Sequence, residues 1–164
     1  MTDLPTATPA NPVAGPGAGQ YTLEHIYLKD CSFESPLSPG AFTRQFSSPD
    51  ASVNIQTRIN GLIDRPEARE VVLSVTVDAR VEEDQSLFVC EVHMAALVAV
   101  GEAPENDQQR VLGARVPELL FPYVRESISN LVVRGGFLPM MLQPIDFDAI
   151  YQQQAMQQGQ PLDG

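Results

Sequence analysis

The sequence contains no tryptophan, two cysteines and two histidines among its 164 residues. That scarcity limits the chemistry available. A zinc site would have to gather His25, His93, Cys31 and Cys90, yet Cys90 and His93 have opposite parity on one strand-like run and point to opposite sheet faces. Cys–His nucleophilic chemistry is equally unsupported, because cysteines without motif spacing are by default small buried hydrophobes. Positive charge is scarce too: 10 Lys and Arg stand against 21 Asp and Glu, a formal net charge of -11. So acidic a chain is not expected to bind nucleic acid or an anionic membrane, and a basic protein surface suits it better. No apolar run approaches the roughly twenty residues that span a bilayer, so no direct membrane insertion is expected. Gly135-Gly136 is not followed by Lys-Ser/Thr and is not a phosphate loop. No internal repeat is visible. The expectation is a non-enzyme with no catalytic residues, no metal and no cofactor.

What is present begins with a Pro/Ala/Gly/Thr-rich stretch, residues 1–20, which has neither Lys nor Arg and no continuous apolar block. It reads as a disordered tail rather than a signal peptide. With no export signal and no cysteine motif, a cytoplasmic location with free thiols is expected. One domain over residues 21–156 and a flexible tail over 157–164 complete the organisation; a single chain of this length buries a sizeable core.

The chain is organised around residues 70–100. Val71, Leu73, Val75, Val77, Ala79 and Val81 alternate with a mostly polar set, which predicts a half-buried strand. A short acidic connection, Glu82 to Ser86, leads into a second run with Phe88, Cys90, Val92, Met94, Ala96, Val98 and Val100 on one face. Its other face (Leu87, Val89, Glu91, His93, Ala95, Leu97, Ala99) is more apolar than solvent requires, which points to a further partner. Residues 53–63 form a third amphipathic strand and residues 21–34 a fourth. In that last run Tyr27, Cys31 and Phe33 are assigned to one face, and Asp30, Ser32 and Glu34 to the other. Asp30 and Glu34 would lie about 13 Å apart on a strand, too far for a pair of hydrolytic carboxylates but suited to an acidic docking strip. A plain solvated face is the competing reading.

Residues 35–50 form a Pro/Gly-punctuated crossing loop with two phenylalanines, Phe42 and Phe46. They either pin the loop to the body or line an apolar groove. After Gly101 the periodicity turns helical, with Pro117 and Pro122 expected to kink or break the helix and Gly135-Gly136 to end it. Phe137, Leu138, Met140, Met141 and Leu142 then crowd a segment with two prolines, either a buried loop or an adaptable apolar surface. Asp146 is placed to cap a last helix. The fold class is α+β: a four-stranded antiparallel sheet with two C-terminal helices packed on one face.

Several blocks in order resemble the SecB-type protein-export chaperones: Lys29-Asp30-Cys31-Ser32-Phe33-Glu34-Ser35-Pro36, Phe88-Val89-Cys90-Glu91-Val92, Leu119-Leu120-Phe121-Pro122-Tyr123-Val124-Arg125-Glu126, Arg134-Gly135-Gly136-Phe137 and Asp146-Phe147-Asp148-Ala149. The resemblance spans about residues 21–158. It implies a homotetramer, a dimer of dimers, that holds unfolded preproteins without ATP and delivers them to the SecA translocation motor. Residue by residue it assigns Asp30, Glu34, Val89 and Glu91 to SecA docking. Phe42, Phe46, Val53, Ile55, Phe137, Leu138, Met140, Met141 and Leu142 fall to the client groove, and Cys90, Val92 and Met94 to the oligomer interface. Phe46 stands where some relatives carry Trp, and the C-terminal tail is short and weakly acidic. The alternatives are a small-molecule-binding or enzymatic α+β domain using the same apolar loop as its pocket, and an inert assembly subunit. Titration with metabolites against titration with an unfolded polypeptide separates the three.

Overall fold

The computed structural model describes residues 11–12 and 21–159. Among the described residues five strands form one antiparallel sheet in the order β1-β2-β5-β4-β3. They are β1 (Asn11–Pro12), β2 (Tyr21–Glu34), β3 (Asp50–Gly61), β4 (Ala68–Val81) and β5 (Gln85–Val100). The four long strands are those the alternation predicts. The two-residue β1 pairs with Thr22 and Leu23 of β2, within the stretch expected to be a tail; the rest of that stretch, and residues 160–164 of the expected C-terminal tail, lie outside the described residues.

The helices are α1 (Gly40–Thr43), α2 (Glu105–Arg110), α3 (Val116–Arg134) and α4 (Phe147–Gln157), with a π-helical stretch, Val111–Arg115, joining α2 to α3. Val116, Leu120, Val124, Ile128 and Val132 recur every fourth residue along α3 and are all fully buried. This stripe lies on β4 and β5, whose Val71, Leu73, Val75, Val77, Val92 and Val98 are likewise sealed. Burying each such side chain contributes roughly 1.5–3 kcal/mol, so this layer is the main source of stability.

The prolines do not break the helix as the sequence suggests. Pro117 follows directly on the π-helical stretch, in a helix that runs unbroken from α2, and Pro122 is carried inside α3. Immediately before Pro117, the Val116 N–H reaches back to the Val111 carbonyl, a five-residue span that widens one turn. The apolar stripe continues on both sides of this turn and outweighs the local cost.

Helix α3 ends where expected. The Gly136 N–H donates to the Val133 carbonyl at 3.0 Å and the Phe137 N–H to the Val132 carbonyl at 3.1 Å. Gly136 adopts φ +90°, the left-handed conformation such a stop requires. Asp146 caps α4, its Oδ1 accepting from the Ala149 N–H at 3.0 Å. The helix then continues through Gln157, one residue into the expected tail, because Phe147 and Ala155 are buried and Phe147 meets Phe121 edge-on at 5.6 Å.

Candidate functional site

Two surfaces emerge, one on each side of the sheet. On the helix side, the crossing loop passes the end of the sheet beside the α3 terminus. Ser35 Oγ donates to the Leu87 carbonyl at 3.1 Å and anchors the start of that loop. Four rings cluster there: Phe137 lies 5.2 Å from Phe88 and 5.4 Å from Phe42, and Phe33 stacks on Phe88 at 5.7 Å. The cluster needs Gly135, because a Cβ there would fall 2.2 Å from the Phe33 ring. Phe42 remains 55% exposed, whereas Phe46 is partly buried against the core.

From Phe137 the chain runs as an irregular segment toward β3. There Val53, Ile55, Met140, Met141, Leu142, Gln143, Pro144 and Ile145 line an open apolar groove of about 300 Å³. The groove exists because α3 covers the centre of the sheet and leaves the inward residues of edge strand β3 uncovered; Val53 is 42% exposed. The irregular segment brings together Val53, Ile55, Met140, Met141 and Leu142, with Phe42 and Phe137 in the adjoining aromatic cluster. Three residues differ from expectation, the first being Phe46, which packs against the core and does not line the groove. Leu142 is only 6% exposed and forms the floor rather than a reachable wall, and Leu138, at 88% exposed, projects into solvent outside the groove lining. Gln143, Pro144 and Ile145 were missed; the signal was Ile145, an apolar residue just before the Asp146 cap.

The opposite sheet face is held by polar contacts. Strand register places Asp30 opposite His93, Ser32 opposite Glu91 and Glu34 opposite Val89, so Asp30, Glu34, Val89 and Glu91 share three successive rows. Among the described residues Asp30 and Glu34 have no side-chain partner. Glu91 is oriented by His93 Nε2 and by Thr76 Oγ1 at 3.3 Å, and Ser74 Oγ and His93 Nδ1 share a hydrogen bond of 2.6 Å. One row further, Asp78 accepts from Ser86 Oγ and from Arg80 Nε, both at 2.8 Å; the first of these contacts does most to hold its carboxyl below the usual range.

Tyr27 is a correction. It does not share a face with Cys31 and Phe33, because a β-bulge between Leu28 and Asp30 inserts Lys29 and shifts the register. Tyr27 therefore lies outward and its hydroxyl donates to Glu70 Oε1 at 2.5 Å. Periodicity could not locate the bulge, since only the pairing with β5 defines it.

Cys90, Val92 and Met94 also need correction. They face the helix layer, as their parity predicts, but all three are buried in this chain's own core beneath α3 and present no contact surface to another subunit. Burial pushes the Cys90 thiol up to about 11, which makes it unreactive at neutral pH. Exposed apolar residues lie on the elements around them: Leu28 and Cys31, opposite Met94 and Val92, on β2, and Leu119, Tyr123 and Val133 on α3. Among the described residues no three His, Cys, Asp or Glu are placed to hold a metal ion, and no helix is long and apolar enough to cross a membrane.

Comparison with known proteins agrees with this architecture. A model of the SecB family, described as preprotein translocase subunit SecB, matches residues 16–158. The chain is 40% identical over 145 residues to the protein-export protein SecB of Methylococcus capsulatus, covering 87% of this chain and 91% of that one. It is 43% identical over 135 residues to the protein of the same name from Pseudomonas aeruginosa, covering 82% and 81%. Among solved structures it is similar to a Mycobacterium tuberculosis SecB-like chaperone in complex with a ChAD peptide from the HigA1 antitoxin, with a TM-score of 0.61 and 15% identity over 76% of this chain and 90% of that one. At that identity the likeness speaks for the fold.

Proposed function

Because the chain belongs to the SecB family of protein-export proteins, we propose that it is an ATP-independent chaperone that keeps unfolded preproteins competent for export and passes them to the SecA motor. The observation that supports this most is the groove of Val53, Ile55 and residues 140–145, left open beside exposed Phe42. An extended polypeptide fits such a site. Its apolar side chains gain about 25 cal/mol per Å² buried, and the outer edge of β3, which pairs with no other strand among the described residues, offers backbone groups. Methionines adapt to varied side chains, so affinity spreads over many weak contacts and sequence selectivity stays low. Preference for the unfolded form follows from mass action and needs no nucleotide.

Asp30, Glu34, Val89 and Glu91 form the docking strip for the motor in this reading. The carboxylates of Asp30 and Glu34, without side-chain partners among the described residues, match a basic partner surface and make docking sensitive to salt. Assembly as a dimer of dimers uses the exposed apolar residues of β2 and α3, with Cys90, Val92 and Met94 acting only from beneath by holding those elements in place. The protein works in the cytoplasm and has no catalytic role.

The test is suppression of aggregation of an unfolded export precursor diluted from denaturant without nucleotide. Suppression should saturate at a fixed ratio of chaperone to precursor. Aggregation unchanged in chaperone excess would contradict the reading.

A further inference from the structure

The bulge at Lys29 decides which way the docking strip faces. With Leu28 opposite Met94 on the helix side and Asp30 opposite His93 on the outer side, Lys29 and Asp30 both project outward. Removing the extra residue would reverse every side chain beyond it, turning Asp30, Ser32 and Glu34 toward the core and Phe33 toward solvent. A bulge gives up regular pairing locally, so something must hold it.

One carboxylate does so from across the sheet. Glu70, at the start of β4, accepts from Lys29 Nζ at 2.7 and 2.8 Å, from the Tyr27 hydroxyl at 2.5 Å and from Asn60 Nδ2 at 2.9 Å. These contacts tie β2 to β4 over the intervening β5, and β4 to β3. Ala95 and Val72, beneath the span, leave room for the long side chains and are themselves buried. Glu70 is more enclosed than its partner, with 13% of its side chain exposed against 45% for Lys29.

We propose that Glu70 is a positioning residue for motor docking: by clamping Lys29 and Tyr27 it fixes the bulge in the orientation that presents Asp30 and Glu34 outward. This rests on the reading of the outer strip as the docking surface. The rival explanation is that Phe33, packed over Gly135, fixes the orientation alone.

The experiment measures docking to purified SecA, amide exchange over residues 28–31 and retention of an unfolded precursor, in Glu70→Ala, Glu70→Gln and Asp30→Lys/Glu34→Lys. Glu70→Ala should dock about tenfold more weakly, exchange faster at the bulge and retain precursor as the native chain does. Glu70→Gln keeps an oxygen for Lys29 and Tyr27 to donate to, and should recover most of the docking. Unchanged docking in Glu70→Ala, alongside loss in the Asp30/Glu34 variant, would overturn the role of Glu70 and leave the strip intact. That role is likewise overturned if Glu70→Gln docks no better than Glu70→Ala, or if precursor retention falls with docking. Native docking in all three variants would overturn the strip itself.

Discussion

The two faces of the sheet are built by different physics. The helix-covered face is closed mainly by Val, Leu and Ile side chains, and its aromatic end is fitted around Gly135. The outer face has few sealed side chains and is ordered by carboxylates, hydroxyls and cations bonded across strands. Close packing makes the first face intolerant of change, whereas exposed polar contacts are individually weak and adjustable. The proposed functions divide accordingly. The groove lies at the margin of the packed face, where the helix layer stops, and the proposed docking strip lies on the face whose charges can change without loss of the fold.

This contrast predicts a graded series. Ile128→Ala, at the centre of the packed face, should cost about 3–4 kcal/mol in urea denaturation through the cavity it leaves. A loss under about 1 kcal/mol would show that this face is looser than described. Gly135→Ala should cost about 2 kcal/mol, because its methyl would fall 2.2 Å from Phe33 and the ring must move. Its ring packing, followed by near-ultraviolet dichroism, should change with it.

The outer face should respond to pH instead. Burial works against the Glu70 charge, but hydrogen bonds from Lys29, Tyr27 and Asn60 outweigh it and lower the carboxyl from 4.5 to about 2. Its stabilising effect is therefore complete above the unfolded value of 4.5 and fades as pH falls from there through about 2. The denaturation midpoints of the native chain and Glu70→Gln should converge across that window; a constant gap would contradict the clamp. Smallest of all, Asp30→Lys with Glu34→Lys should shift stability by no more than about 0.5 kcal/mol, since neither carboxylate has a side-chain partner among the described residues.

Much of this was legible in the sequence because period-two alternation survives wherever one sheet face is buried. The bounds of β2 agree with the pattern, and β4 and β5 with it to within two residues. What stayed hidden depends on neighbours. The bulge at Lys29 is defined by pairing with β5, so Tyr27 was placed on the wrong face. The continuity of α3 past Pro117 and Pro122 depends on its buried stripe and on the widened turn before it. Parity placed Cys90, Val92 and Met94 inward but could not reveal that the chain's own helix covers them. In the groove, residue types marked the Phe137–Leu142 segment, but only the tertiary path separates buried Leu142 from exposed Leu138. Glu70 carries no mark in the sequence, because its role lies in partners from two other strands.

Separating the two faces functionally is the decisive experiment. Affinity for an unfolded export precursor and for SecA is measured in Val53→Asp/Met141→Asp and in Asp30→Lys/Glu34→Lys. The groove variant should lose precursor by about tenfold or more while still docking, and the strip variant should do the reverse. Parallel loss of both activities in either variant, with folding intact by circular dichroism, would show that the two faces do not carry separate tasks.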